Sequence, residues 1–273
     1  MYESYWGLTH KPFENNSNES FYYPSETHQA ALLKLRYAIE SRRDGAVLTG
    51  APGLGKSLLI RTMFRMLPKT ITPKVHLVFP QMPTHELLTY LAEELSPEQG
   101  SFGPLSTEAA VRRIEHALRE NSEAGKHAVV VVDEAQLITD VTTLDMLRLL
   151  LNFESQHGIG LTLLFVGQPS FLPTIDRHPG VEERLAVKCL LRPLDLDESV
   201  SYVNHRLNQA GADQPIFDEL ALERIHAITH GNPRQINRLC DLALLIGFAE
   251  ERHSITHEAI DAVSEELVAV VPE

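Results

Sequence analysis

The chain has 273 residues, 43% of them apolar and 22% charged, enough to bury one large core or a medium core with a smaller companion. A formal net charge of −13 disfavours non-specific binding to nucleic acid or anionic lipid, leaving only a local basic stripe as a route to either. The N-terminal Met1-Tyr2-Glu3-Ser4-Tyr5-Trp6 lacks the cationic start and apolar core of a secretion signal, and the longest apolar run, Leu242 to Ala249, is too short to cross a bilayer.

In chain order, residues 1–26 read as an irregular arm, aromatic and polar, with Pro12, Pro24 and a cluster at Asn15–Ser20. Its aromatics need a surface to lie on. Ala31, Leu32, Leu35, Ala38 and Ile39 recur at helical spacing over Thr27–Ser41, with Ser25 or Thr27 as cap. A strand over Ala46–Thr49 then leads into Gly50-Ala51-Pro52-Gly53-Leu54-Gly55-Lys56-Ser57, and a helix runs from Lys56 to about Leu67, where Pro68 stops it.

That G-x-x-x-x-G-K-S stretch between strand and helix is a phosphate-binding loop. Its small residues let backbone N–H groups turn inward on phosphate oxygens, Lys56 supplies a point charge, and Ser57 offers a hydroxyl to Mg²⁺. The helix that Leu58 continues points its N-terminus at the same anion.

Beyond it, the pattern predicts a strand at Val75–Phe79, a helix at Thr84–Leu95, a loop around Pro97 and Gly100–Pro104, and a helix at Thr107–Asn121 capped by Ser106 or Thr107. The unbroken run Ala128-Val129-Val130-Val131-Val132 belongs in the middle of a parallel sheet covered on both faces. Strands at Leu161–Val166 and Val187–Leu191, with helices near Thr143–Phe153 and Pro169–Ile175, complete five strands alternating with helices, which implies an open α/β sheet with right-handed crossovers. After Leu194 only helical periodicity remains, at about 197–209, 217–229, 233–249 and 256–268. The expected organisation is therefore an arm at 1–26, an α/β nucleotide-binding domain at 27–194 and a small helical lid at 195–273.

Asp133 and Glu134 follow the valine run directly. Hydrolysis of ATP needs one carboxylate to hold Mg²⁺ and one to orient and deprotonate the attacking water, and these two take those roles in that order. Gln168 follows the next strand in the same way and can reach toward the γ-phosphate. Arg184, after a Pro/Gly loop, is the candidate to enter a neighbouring subunit's site, with a salt bridge to Glu182 or Glu183, or substitution by Arg177 or Lys188, as the competing readings. Arg234 opens a helix in Gly231-Asn232-Pro233-Arg234, where a cation is mildly disfavoured by the helix dipole, so its presence suggests a function across the cleft. His253 and His257 lack a third ligand, and the basic set Arg42, Arg43, Arg61, Arg65, Lys69 and Lys74 reads as solvated helix faces. Cys189 and Cys240 sit in apolar surroundings, as buried, reduced thiols of a cytoplasmic protein do.

Together these motifs resemble the AAA+ ATPase family, in which they stand as phosphate loop, Walker B, sensor 1, arginine finger and sensor 2. More narrowly, Tyr5-Trp6-Gly7-Leu8, Lys11-Pro12-Phe13, Phe21-Tyr22-Tyr23-Pro24-Ser25, His28, Asp133-Glu134-Ala135-Gln136, Leu151-Asn152-Phe153-Glu154 and Gly167-Gln168-Pro169 resemble the general secretion pathway protein A type. The resemblance implies a P-loop NTPase that binds ATP and Mg²⁺, with the arm and His28 near the adenine. It also implies a homo-oligomer, ring or filament, that works at the cytoplasmic side of the inner membrane on an envelope machine such as a secretin. Proteins of that type continue into a transmembrane helix and a peptidoglycan-binding region, so the resemblance makes this chain an ATPase portion or a short branch. Ser170-Phe171 replaces an acidic residue usual in the secretion pattern. The alternative is a DNA-binding transposition regulator of the TniB/TnsC type, against which the net charge leans.

Overall fold

The computed structural model describes residues 1–14, 21–96, 103, 105–155 and 158–269. The expected Asn15–Ser20 cluster and nearly all of the Pro97–Pro104 loop lie outside the described residues. The chain divides into two compact units, one of Thr27–Ala51 with Leu59–Leu191, the other of Met1–Glu26, Pro52–Leu58 and Arg192–Glu273.

In the first unit the elements are α1 (Glu26–Glu40), β1 (Gly45–Gly50), α2 (Lys56–Met66), β2 (Ile71–Leu77), α3 (Thr84–Leu95), α4 (Thr107–Glu123), β3 (His127–Val132), α5 (Val141–Leu150), β4 (Glu154–Ser155), β5 (Gly158–Ile159), β6 (Leu161–Gly167), α6 (Leu172–Asp176), α7 (Pro179–Glu182) and β7 (Leu185–Leu191), with α1 and α2 beginning in residues of the other unit. Five strands form a parallel sheet in the order β2-β3-β6-β1-β7, so β1, β3 and β6 are the interior strands and all six residues of β3 are buried. Alternation along the strands divides their side chains between two faces. Val47, Val130, Val132, Leu163 and Phe165 pack against Leu87 and Leu91 of α3, Ile114 of α4 and Leu147 of α5. Their neighbours Val129, Val131, Leu164 and Val166 are buried as well, as the unbroken apolar run requires. Each such fully buried aliphatic side chain contributes roughly 1.5–3 kcal/mol.

Several elements depart from the sequence reading at their ends. The second strand begins four residues earlier than expected, and Val78 and Phe79 lie beyond it, 60% and 59% exposed. Pro73 falls inside this strand because β2 is an edge of the sheet, where a missing N–H costs no ladder bond on the open side. The helix expected at Pro169–Ile175 is a 3₁₀ turn, Pro169–Phe171, running into α6. The β4–β5 hairpin and α7 were not anticipated, since elements this short carry no periodicity. Ser106, rather than Thr107, caps α4, accepting from the Ala109 N–H.

In the second unit the helices are α8 (Leu196–Gln209), α9 (Glu219–Thr229), α10 (Pro233–Ala249) and α11 (His257–Ala269). Asp195 and Glu198 form a reciprocal capping box at the start of α8, and Asp218 caps α9. Here the aromatic arm finds its surface. Phe13 and Phe21 are buried among Tyr202, Leu207, Phe217 and Leu239, the Trp6 indole N–H donates to the Leu244 carbonyl at 2.9 Å, and Tyr2 donates to Asp241. Arg206 of α8, 4% exposed, donates from Nε to Pro12 O at 2.5 Å and from a terminal nitrogen to Glu14 O at 2.8 Å, with its guanidinium over the Phe21 ring. A buried cation is tolerated there because two backbone carbonyls and an aromatic face replace its water.

Candidate nucleotide site

Because β1, β3 and β6 are parallel neighbours, their C-terminal ends lie at one edge of the sheet, with Thr49 in register with Gly167 and Val132 with Phe165. In an open α/β sheet that edge is where ligands bind. It is also where the candidate residues begin.

The phosphate loop belongs to the helical unit. Gly53 and Gly55 have φ of +87° and +85°, a left-handed backbone, while Leu54 is 1% and Lys56 8% exposed. Leu54 anchors the loop, and Lys56 begins α2. The start of α10 packs against this loop. Asn232 caps α10 by accepting from the Arg234 and Gln235 N–H groups, and its Nδ2 donates to Pro52 O at 2.9 Å. A Cβ at Gly53 would lie 2.5 Å from Asn232 Oδ1 and 2.8 Å from Arg234 Cβ, so only glycine permits this approach. Arg234 itself is exposed, and its guanidinium makes no hydrogen bond or ion pair with the described residues. Ser57 is exposed and Leu58 half-buried on the first turn of α2.

On the sheet side, Asp133 is 3% exposed at the end of β3. Its Oδ2 lies 3.2 Å from His76 Nε2, and its Oδ1 accepts from the Glu134 N–H at 2.9 Å. Glu134 has φ 50° and ψ 37°, a left-handed conformation that costs a non-glycine residue roughly 1–2 kcal/mol and is stored at functional positions. The Gln136 Nε2 donates to Glu134 Oε2 at 2.5 Å, and Gln136 Oε1 accepts from the Gln168 N–H at 2.9 Å. Asp133, Glu134 and Gln168 thus belong to one network, in which Gln136 bridges Glu134 to Gln168 and His76 contacts Asp133, and spacing along the sequence assigned neither of these two side chains a role. Gln136 was visible inside Asp133-Glu134-Ala135-Gln136, but nothing in spacing says where its amide points. His76 sits on a neighbouring strand, a juxtaposition made by sheet order.

Arg184 precedes β7 and is two-thirds buried. It donates to Asp44 Oδ2 at 2.7 Å and to Asn152 Oδ1 at 2.9 Å. The expected alternative partners are elsewhere: Glu182 pairs with Lys188 at 2.7 Å. Arg177 donates within its own segment, to Pro173 O. His28 is buried on α1. The thiols are inert in character, burial pushing Cys189 up to about 11 and Cys240 well above its ordinary value. No group of three or more metal-ligating side chains occurs among the described residues, and among them no helix is long and apolar enough to cross a membrane.

The family pattern for the AAA domain matches residues 39–175. General secretion pathway protein A of Aeromonas hydrophila is 34% identical over 99% of this chain and 49% of its own length, so the chain spans about half of that relative. Among solved structures, the Aeropyrum pernix ORC2 protein in its ADPNP-ADP complexes superposes with a TM-score of 0.72 at 16% identity, covering 98% of this chain and 74% of that one. The RuvB Holliday junction branch migration motor of Thermotoga maritima gives 0.60 at 15% identity, covering 89% of this chain and 69% of the other. These distant structures share the fold. A family match across about half the chain, spanning the phosphate loop and the acidic end of β3, together with the relative's likeness over nearly all of it, establishes that the chain belongs to the AAA family and has the AAA+ P-loop NTPase fold.

Proposed function

We propose that this chain binds ATP with Mg²⁺, hydrolyses it to ADP and phosphate as a homo-oligomer, and uses the cycle to assemble or remodel an envelope machine of the secretin type. The observation that carries the catalytic part is the Asp133-Glu134 pair at the end of an interior strand, Asp133 buried and Glu134 half-buried, with the Glu134 carboxylate held by a hydrogen bond and its backbone left-handed. The residue types suit the nucleotide: two left-handed glycines turn the loop, Lys56 brings positive charge, and Ser57 and Asp133 are side chains with the hard oxygens that would hold Mg²⁺. When bound, Mg²⁺ neutralises charge on the phosphate oxygens.

The residues divide the work. The loop Gly50 to Ser57, through the backbone N–H groups of its residues other than Pro52, and the Lys56 ammonium bind and orient the phosphates. Glu134 accepts a proton from water as its oxygen attacks the γ-phosphorus and the bond to ADP breaks. Gln168 and Arg234 hold the γ-phosphate, and Arg184 of one subunit completes the site of the next. His28 is assigned to the adenine side. The envelope role, and a place at the cytoplasmic face of the inner membrane through a protein partner, rest on the likeness to general secretion pathway protein A.

Two measurements test this. Glu134→Gln is expected to bind ATP but lose turnover by a factor of about 100 or more, with wild-type turnover removing Glu134 as base. Size-exclusion light scattering with ATP and Mg²⁺ is expected to give an oligomer without DNA. Assembly that requires a DNA duplex and disappears at raised salt would replace the envelope reading with the transposition one.

A further inference from the structure

Gln136 is the side chain that ties the two carboxylate-side elements together, and its amide is used at both ends. The N–H₂ donates to the Glu134 carboxylate at 2.5 Å and the carbonyl accepts from the Gln168 N–H at 2.9 Å. Only one orientation satisfies both, because a flipped amide would set oxygen against carboxylate and N–H against N–H. The contact also has no slack. A Cβ at Gly167 would stand 2.7 Å from Gln136 Oε1, so the amide fits against the bare backbone at the end of β6. Gln136 lies on the 3₁₀ turn Ala135–Leu137, whose first residue is buried, which fixes the base of its side chain.

We propose that Gln136 is the positioning residue of the hydrolytic step: it fixes the Glu134 carboxylate and links it to the end of β6, so that displacement at Gln168 is passed to the base. This rests on Glu134 acting as base. Left alone, a glutamate side chain samples several rotamers of similar energy. A charge-assisted hydrogen bond to an amide that is itself anchored by a backbone N–H selects one of them. A group misplaced by an ångström loses turnover rather than substrate binding, since ground-state contacts to the nucleotide are made elsewhere.

The test is steady-state ATP hydrolysis by the full chain, with affinity for a non-hydrolysable ATP analogue measured in parallel, for Gln136→Leu, Gln136→Glu and Glu134→Gln. Gln136→Glu is isosteric and keeps the acceptor for the Gln168 N–H while losing the donor to Glu134. If Gln136 positions the base, kcat falls by about tenfold or more in both Gln136 variants while analogue affinity stays within about twofold. Gln136→Glu also sets a second carboxylate against Glu134, so a fall in its kcat supports the proposal only together with a fall in the uncharged Gln136→Leu, whereas wild-type turnover in Gln136→Glu overturns it. Wild-type turnover in Gln136→Leu, or a loss of analogue affinity matching the loss in kcat, overturns it as well. Should Gln136→Leu fail to fold, the uncharged and nearly isosteric Gln136→Met takes its place with the same expected outcomes. Glu134→Gln separates the two claims: if it still hydrolyses, the base assignment has failed; if it is inactive while Gln136→Glu is active, only the positioning role has.

Discussion

Asn232 performs two jobs with one amide, and a pair of substitutions should pull them apart. Its Oδ1 accepts from the N–H groups of Arg234 and Gln235 at 3.1 and 3.4 Å, capping α10, while Nδ2 donates to Pro52 O at 2.9 Å, holding the phosphate loop. Asn232→Ala removes both. The cap is worth about 1 kcal/mol and the loop bond about another 1 kcal/mol, which in a chain of this size corresponds to a fall in Tm of roughly 5 °C. Asn232→Asp keeps the cap, since aspartate serves there as well as asparagine, but it loses the donor and sets a carboxylate oxygen against the Pro52 carbonyl. About 1.4 kcal/mol is a factor of ten in affinity, so loss of the loop bond together with a new negative charge beside the phosphates should weaken ATP binding about tenfold or more. The assay is titration with a fluorescent ATP analogue alongside thermal melting. Asn232→Asp is expected to lose at least about half as much Tm as Asn232→Ala, roughly 3 °C, yet bind the nucleotide much more weakly than that loss of stability explains. Nucleotide affinity equal to wild type in Asn232→Asp would refute the idea that α10 organises the phosphate loop through this amide.

Other expectations follow from single contacts. A Cβ at Gly231, where φ is +70°, would stand 1.8 Å from Leu194 O, so Gly231→Ala should cost about 3 kcal/mol or more and show as a large fall in Tm or as insoluble protein; a wild-type melt contradicts the geometry. Arg206→Met removes the donors to Pro12 O and Glu14 O, and limited proteolysis should then cut within the arm well before the helices, whereas unchanged protection would show that the apolar contacts suffice. Arg184→Ala subunits, which keep Glu134, should regain turnover when mixed with Glu134→Gln subunits, which keep Arg184; absence of complementation would place Arg184 in a role within its own subunit, beside Asp44. Cys189, pushed up to about 11, and buried Cys240 should resist thiol reagents at pH 8 until the chain unfolds. Their sign for stability is fixed too. The folded state keeps protons that the unfolded state releases above about pH 8.5, so this contribution is complete below that pH and is lost as pH rises toward about 11, readable in denaturant titrations at pH 8 and 10.

Much of this protein could be read from the linear chain, because its signals are local. A strand–loop–helix whose turn demands glycine and whose chemistry demands Lys56 announces itself within a short window, and the all-buried β3 does so through its unbroken β-branched run. The helices of the second unit were legible for the same reason, their apolar positions recurring at helical period. Two ends are not legible locally: the strand expected from Val75 begins at Ile71 and includes Pro73, which an edge position tolerates, and the helix expected at Pro169–Ile175 is a 3₁₀ turn followed by a short helix.

The partners of the functional side chains were beyond the sequence. That Arg184 pairs with Asp44, 140 residues away, and not with its neighbours Glu182 and Glu183, depends on β7 lying beside β1. That the aromatic arm is buried against helices some 200 residues further on depends on an apolar face that α8 to α10 offer only after they have packed. The amide of Gln136 becomes a link, and that of Asn232 a loop clamp, because parallel pairing of β3 with β6 and the approach of α10 to Gly53 bring distant backbones within hydrogen-bond reach. Periodicity and spacing fix which elements form, since those depend on neighbours in the chain. Contacts between polar side chains depend on long-range register, which only the assembled sheet and the packed helices define.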